Sequence, residues 1–145
     1  MPFSVAVLDK ANYGKLTAER ATELCAAAFA SQGLDVERMG EVSVALVAWP
    51  DMHEINLKYR YIDSPTDVLS FEIDGPYGEM VGEIVVAPGY VCFERVSVEE
   101  LVVHGALHLA GMVHGDDFAG SEMAAAQDAV LKGIGVREGH EVDGP

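Results

Sequence analysis

The chain has 145 residues, of which 50% are apolar and 23% charged, with two cysteines and a formal net charge of −15 at pH 7. This composition excludes intrinsic disorder and a disulfide framework, and the excess of carboxylates disfavours non-specific binding to a nucleic-acid backbone. The longest uncharged run, residues 101–115, is too short for a membrane span, and no signal peptide is evident. We therefore expect a single cytoplasmic domain over residues 1–145, with an acidic tail that frays from about residue 137.

The first half of the chain alternates between strand and helix patterns. Thr17 is a suitable helix N-cap, and the apolar stripe that follows it predicts a helix to about residue 31. Asp51 and Glu54 have the spacing of a capping box, with Asp51 as the N-cap, and predict a second helix that ends before residue 64. The four segments with strand periodicity cover residues 3–8, 41–48, 68–73 and 81–87.

A helix that contains the long uncharged run from residue 101 dominates the second half. Ser97 and Glu100 form another capping-box pattern, which begins a helix that runs to about Gly111. Because this helix is apolar on every side apart from its histidines, we expect it at the buried centre of the domain. A further helix is predicted over residues 121–132, and a short one near residues 90–95. This order predicts an α+β (mixed α/β) fold, in which a four-stranded sheet packs around the buried central helix.

Three histidines lie in and just after the central helix. His104 and His108 are one turn apart and leave the same face, while Gly111 can take the left-handed conformation that turns His114 back towards them. Three converging imidazoles with a fourth position open are typical of a catalytic zinc site. Core histidines held only by hydrogen bonds are the alternative, but unpaired buried imidazoles are destabilising. We therefore predict one metal ion, Zn²⁺ or another divalent metal, bound by the three histidines.

The spacing of these histidines equals that of the metzincin proteases, H-E-x-x-H-x-x-G-x-x-H. In those proteases, the glutamate after the first histidine activates the metal-bound water, and the corresponding residue here is Gly105. Ordinary metzincin proteolysis is therefore not expected. A metal-dependent, peptidase-like hydrolase remains an alternative function, because the histidine spacing by itself fits one.

A second segment, together with the histidines, resembles a known family. Residues 55–71 read I-N-x-x-Y-R-x-x-D-x-P-T-D-V-L-S-F, with G-E-I at 82–84 and H-G-x-L-H-L-x-G from residue 104. This pattern is similar to that of the YbeY family, which comprises bacterial endoribonucleases and ribosomal RNA maturation factors. The sequence departs from the family before the third histidine, where a usual Tyr-Asp pair is replaced by Met112 and Val113.

The resemblance implies a three-histidine metal site, usually assigned to zinc, and cleavage of single-stranded RNA in 16S rRNA 3′-end processing and ribosome quality control. It also implies that Arg60 is catalytic, since a guanidinium suits phosphate oxygens, although a surface arginine at a helix C-terminus is the structural alternative. Asp67 is expected to cap its turn, or to hold Arg60 or a histidine N–H.

The implied partners are single-stranded RNA or rRNA and the small ribosomal subunit or an associated protein, without DNA or a membrane. A non-catalytic ribosome assembly factor with a structural zinc is a further alternative, because it fits the acidity and the lack of an evident general base. Outside the candidate site, His53 is expected at the surface and Cys25 in the core.

Overall fold

The computed structural model describes residues 3–64, 66–74, 80–88, 97–112 and 121–135. Its strands are β1 (Val5–Asp9), β2 (Val42–Leu46), β3 (Val68–Asp74) and β4 (Met80–Val86). Its α-helices are α1 (Ala18–Ser31), α2 (Trp49–Arg60), α3 (Val98–Leu109) and α4 (Glu122–Gly133), and a short 3-10 helix covers Val36–Arg38. Within these ranges, the element order confirms the predicted α+β fold and its four-stranded sheet.

The sheet is mixed, with the strand order β1-β2-β4-β3. β2 pairs in parallel with β1 and β4, so that Val44 lies opposite Val7 on one side and Ile84 on the other. β3 pairs antiparallel with β4 at the edge of the sheet. Helix α3 contacts both β3 and β4. The central helix therefore lies against β3, the strand that contains the end of the 55–71 segment.

The main core surrounds α3, as the uncharged run from residue 101 predicted. This helix contacts α1 and α4 as well as the sheet, and its side chains Val102, Val103 and Leu107 are fully buried. Cys25 of α1 lies in the same core, where burial raises the pKa of its thiol to about 12, so the thiol stays protonated at neutral pH. Removing these apolar surfaces from water stabilises the arrangement of helices on the sheet.

A second, smaller core lies on the other face of the sheet. Met52 of α2 belongs to this core, together with Val85 of β4. The neighbours of Val85 in the strand, Ile84 and Val86, belong to the main core. Successive side chains of a strand point to opposite faces, so α2 packs on the face opposite α3.

Two of the predicted helix caps are confirmed. Ser97 Oγ accepts from the Glu100 N–H at 3.0 Å, and the Ser97 N–H donates to Glu100 Oε1 at 3.4 Å, which completes the predicted capping box. Thr17 Oγ1 accepts from the Arg20 N–H at 3.0 Å at the start of α1. These contacts satisfy backbone donors that have no partner inside their helices.

The prediction of Asp51 as the N-cap of α2 was wrong. The helix begins at Trp49, Ala48 occupies the cap position without a side-chain hydrogen bond, and Asp51 lies in the first turn. Pro50 explains the shift, because proline is favoured in the first turn, where its missing N–H needs no partner. Asp51 still faces the positive end of the helix dipole.

Some predictions concern parts of the chain that lie outside the described ranges. They include the short helix near residues 90–95, the acidic tail from residue 137, and the third predicted metal ligand, His114. Of the helices that are described, none combines the length and apolarity needed to cross a bilayer.

Candidate functional site

The structure brings His104 and His108 together on one face of α3. Their ring centroids are 4.7 Å apart, their planes are inclined by 76°, and both side chains are half-buried. Both line a cavity of about 570 Å³, which is also lined by Arg60 and Asp67. The described residues therefore supply two of the three predicted metal ligands, together with the predicted catalytic arginine. His114 lies outside them.

A backbone carbonyl orients the His108 ring. His108 Nδ1 lies 2.9 Å from the carbonyl oxygen of Met112. Since a carbonyl oxygen only accepts, the ring nitrogen is the donor and carries the proton. This tautomer leaves the lone pair on Nε2, which is the atom that can bind a metal ion.

A Schellman motif at the end of α3 places this carbonyl. Gly111 has a φ of 102°, which confirms the predicted left-handed residue. Its N–H donates to the His108 carbonyl at 2.9 Å, and the Met112 N–H donates to the Leu107 carbonyl at 3.0 Å. Because the acceptor for His108 is main-chain, the presence of methionine where the family usually has tyrosine leaves this contact intact.

A glutamine from α4 orients the other ring. His104 Nδ1 lies 2.9 Å from Gln127 Oε1, and Gln127 is only 9% exposed. The sequence predicted a helix here but not this contact. The available signal was a polar side chain within the buried stripe that contains Met123, Val130 and Leu131. A buried amide in such a stripe requires a polar partner, and here the partner is a candidate metal ligand.

We expect Gln127→Leu to weaken zinc binding by about 10- to 100-fold, because the outer partner of a ligating histidine fixes its orientation and basicity. Competition with a chromophoric chelator measures this change. Gln127→Glu is the matched control, since it keeps an oxygen acceptor at the same place and should retain the affinity of the wild type. Equal zinc affinity in Gln127→Leu and wild type would contradict the role of this hydrogen bond.

These contacts allow a test of whether the described residues suit a metal ion. Each of the two imidazoles on one helix face has an acceptor at Nδ1 and therefore a lone pair at Nε2. Zinc-bound histidines commonly show this arrangement, in which the second ring nitrogen donates to a carbonyl or a polar side chain. No complete group of three His, Cys, Asp or Glu ligands occurs within the described ranges. The two described histidines thus fit the chemistry of a zinc site to which His114 is the predicted third ligand.

Gly105 lies where α3 packs closely on the sheet. A Cβ atom at this position would lie 2.6 Å from Ile84 Cγ2 and 3.0 Å from Ser70 Oγ. The Ser70 hydroxyl also donates to the Gly105 carbonyl oxygen at 3.0 Å. A glutamate like that of the metzincins therefore has no room at this position, and glycine permits the close approach of helix and sheet.

Contacts at the end of α2 join the helix to the segment that follows Arg60. Tyr61 ends the helix in the left-handed conformation, with a φ of 60°. The segment that follows returns to the helix, where the buried Asn56 donates through Nδ2 to the Ser64 carbonyl at 2.8 Å. His53 Nε2 lies 2.7 Å from Asp63 Oδ1, so this half-exposed histidine joins the helix to the same segment.

Arg60 and Asp67 line the histidine cavity from the α2–β3 side. Among the described residues, the exposed Arg60 side chain forms no hydrogen bond or ion pair. The contacts predicted for Asp67 are not found within the same ranges, where its side chain forms no hydrogen bond or ion pair and the Nδ1 atoms of both histidines have other partners. Its main-chain oxygen accepts from the Ala87 N–H at 3.0 Å, which extends the β3–β4 pairing.

Comparison with known proteins of similar sequence identifies the family. Residues 7–135 match the family described as Endoribonuclease YbeY. A Rubrobacter xylanophilus protein with that name is 62% identical over 135 residues, which cover 92% of this chain and 98% of the relative. The chain belongs to the YbeY family.

More distant relatives agree with this assignment. An endoribonuclease YbeY from Azorhizobium caulinodans is 35% identical over 82% of each chain. In three dimensions, a Thermotoga maritima protein known from its solution structure matches with a TM-score of 0.56 at 28% identity, over 90% of this chain and 88% of that one. The family predicted from the segment after residue 55 and from the histidines is thus confirmed, and the fold is shared with a solved structure.

Proposed function

We propose that this protein is a metal-dependent endoribonuclease that cleaves single-stranded RNA in rRNA maturation, including 16S rRNA 3′-end processing and ribosome quality control. Membership of the YbeY family supports the nuclease activity. The observation that carries the proposal is that His104, His108 and Arg60 line one cavity. Candidate metal ligands and a cation suited to phosphate therefore face the same space. A ribosomal substrate would place the action in the cytoplasm.

In the proposed mechanism, His104, His108 and His114 hold one zinc ion. When bound, zinc would polarise a phosphate oxygen and lower the pKa of a bound water. Gln127 and the Met112 carbonyl keep the rings of His104 and His108 oriented with their lone pairs on Nε2. The two rings are thus already oriented before the substrate binds, which reduces the reorganisation needed in the reaction.

Arg60 binds the substrate in this mechanism. Its planar guanidinium donates two parallel hydrogen bonds to phosphate oxygens, and it stabilises the negative charge that develops at phosphorus. Since no carboxylate of the described residues forms an ion pair with Arg60, the N–H donors of its guanidinium remain available to the substrate. Arg60 thus contributes both to phosphate binding and to the rate.

The packing at Gly105 supports RNA rather than peptide as the substrate. A peptidase of the metzincin kind needs a general base beside its first histidine, and the close contact with Ile84 leaves no space for one there. The half-exposed histidines support a catalytic rather than a structural metal. A structural zinc has a closed ligand shell, whereas these rings line an open cavity of about 570 Å³.

The charge of the protein supports a role for the ribosome in substrate binding. With a net charge of −15, most of the surface repels RNA, and Arg60 provides a local attraction. We therefore propose that the small ribosomal subunit, or an associated protein with a basic face, supplies much of the docking energy. The isolated protein should bind free RNA weakly, through roughly one to three phosphate contacts.

Cleavage of a short single-stranded RNA by the zinc-loaded protein tests the proposal. We expect activity to be lost with a chelator, and to fall by about 100-fold or more in Arg60→Ala, because one charge-stabilising donor contributes about that much to the rate. Lys15→Ala is the matched control, since Lys15 is an exposed cation that does not line the histidine cavity. Failure of the loaded wild type to cleave RNA, or full activity in Arg60→Ala, would overturn the mechanism.

A further inference from the structure

A second cavity, of about 500 Å³, adjoins the histidine cavity. Both are lined by His108 and Arg60, and the lining of the second includes an aromatic wall formed by Tyr59 and Phe71. Its volume falls in the range of small-ligand sites, about 300–1,000 Å³. Space suited to a part of the substrate therefore continues past the proposed scissile phosphate.

The two rings in this wall form an edge-to-face pair. Their centroids are 5.5 Å apart and their planes are inclined by 66°. Phe71 lies on β3 and is partly buried, whereas Tyr59 is 58% exposed at the end of α2. Phe71 thus contacts the Tyr59 ring from one side, while more than half of the tyrosine residue stays exposed to solvent.

Charges at the cavity indicate which part of a nucleotide would occupy each end. Tyr59 lies between two of only nine cationic residues in the chain, Lys58 and Arg60, and Lys58 Nζ is 5.2 Å from the centroid of the tyrosine ring. The cavity is also lined by the exposed carboxylate of Glu72. A phosphate is favoured beside Arg60, whereas at the aromatic end the carboxylate of Glu72 offsets the charge of the Lys58 ammonium, so this end suits an uncharged group.

We infer that Tyr59 and Phe71 form a nucleobase subsite, in which Tyr59 stacks on the base of a nucleotide next to the phosphate held by Arg60. This inference rests on the proposed function and adds a determinant of substrate choice to it. Stacking on an aromatic ring tolerates any base, because every base has a π-face, but it requires a base that has left its helix. The subsite therefore provides a physical reason for a preference for single-stranded RNA.

Binding of two fluorescein-labelled single strands tests the subsite. One is an oligoadenylate RNA, and the other has the same length and backbone but no bases. Anisotropy titrations at several salt concentrations give the affinity and its salt dependence, with a denaturing gel to verify that the RNA is intact. We expect Tyr59→Leu to weaken oligoadenylate binding by about 5- to 150-fold and to leave binding of the abasic strand unchanged. Tyr59→Phe should bind both strands like the wild type.

The salt dependence separates stacking from phosphate binding. Tyr59→Leu should keep the slope of log affinity against log salt, because stacking releases no counterions. Arg60→Ala should reduce the slope by about 0.7, and should weaken binding of both strands alike. Trp49→Leu is the matched control for loss of an exposed aromatic side chain, since Trp49 is 48% exposed on the same helix but lines neither cavity. It should bind like the wild type.

The other outcomes are equally informative. Unchanged oligoadenylate affinity in Tyr59→Leu, or an equal loss on both strands, would overturn the subsite. In that case RNA cleavage by the wild type and its loss in Arg60→Ala would leave the proposed nuclease function standing. Absence of both RNA binding and cleavage in the wild type would overturn the function and the subsite together.

Discussion

Replacing His108 with alanine should abolish zinc binding. His108 is predicted to supply one of three protein ligands, and its Nε2 lone pair is prepared for this role by the hydrogen bond from Nδ1 to the Met112 carbonyl. Loss of a ligand removes a bond to the metal, whereas loss of an outer partner such as Gln127 only disturbs one. The decrease in affinity should therefore exceed the roughly 10- to 100-fold expected for an outer partner.

Thermal unfolding with and without zinc gives a measurement that does not depend on activity. A ligand that binds only the folded protein stabilises it by about 2.7 kcal/mol at a hundredfold excess over its Kd. Zinc should therefore raise the Tm of the wild type and leave that of His108→Ala unchanged. His53→Ala is the matched control, because His53 lies on α2, is held by Asp63 and lines neither cavity. Full metal occupancy in His108→Ala would disprove the ligand assignment.

Replacing Gly105 should destabilise the fold, by an amount that increases with the size of the new side chain. Alanine is a better helix former than glycine by about 1 kcal/mol, but its Cβ would lie 2.6 Å from Ile84 Cγ2. The overpacking should outweigh the propensity, with a net loss of about 1–3 kcal/mol in the free energy of unfolding. Gly105→Glu adds a charge to the contact between helix and sheet, and the combined loss should exceed about 4 kcal/mol.

Gly133→Ala provides the matched control for this prediction. Gly133 is also a helical glycine, at the end of α4, but a Cβ atom there would meet nothing within 4 Å. Its replacement should be neutral, or should stabilise the protein by up to about 1 kcal/mol. Urea unfolding of both alanine variants measures the difference. If Gly105→Ala and Gly133→Ala have the same free energy of unfolding, the close packing of α3 on β4 is not what requires glycine at position 105.

The Gly105 variants also address the relation to metal-dependent peptidases. The spacing of His104, His108 and His114 is the same as in those peptidases, but the helix that carries His104 and His108 here packs directly on the sheet. A glutamate introduced at position 105 to restore a general base would disrupt the packing of α3 on the sheet, so the fold would be lost and the new carboxylate could not serve as a base. If the Gly105→Glu variant stays folded and binds zinc, the sheet leaves more room at this position than the distances indicate.

The sequence alone was sufficient for the features that depend on local spacing. The period of its apolar residues predicted the strands and helices, and the i, i+4 relation placed His104 and His108 on one face. The positive φ of Gly111 was predictable because a helix end followed by a returning chain favours a left-handed residue. The cap of α2 was the exception, since Asp51 and Pro50 give competing local signals and the proline determined where the helix begins.

Only the tertiary structure determined the contacts that complete the site. Gln127 orients His104 from 23 residues further along the chain, and Ser70 reaches Gly105 across a separation of 35. The aromatic wall likewise joins the end of α2 to an edge strand. Local sequence periodicity cannot specify which side chains meet at such separations, because these contacts form only when helices pack on the sheet to bury their apolar faces. The sequence by itself therefore determined the family and the shared face of His104 and His108, and the packing of α3, α4 and β3 determined what surrounds them.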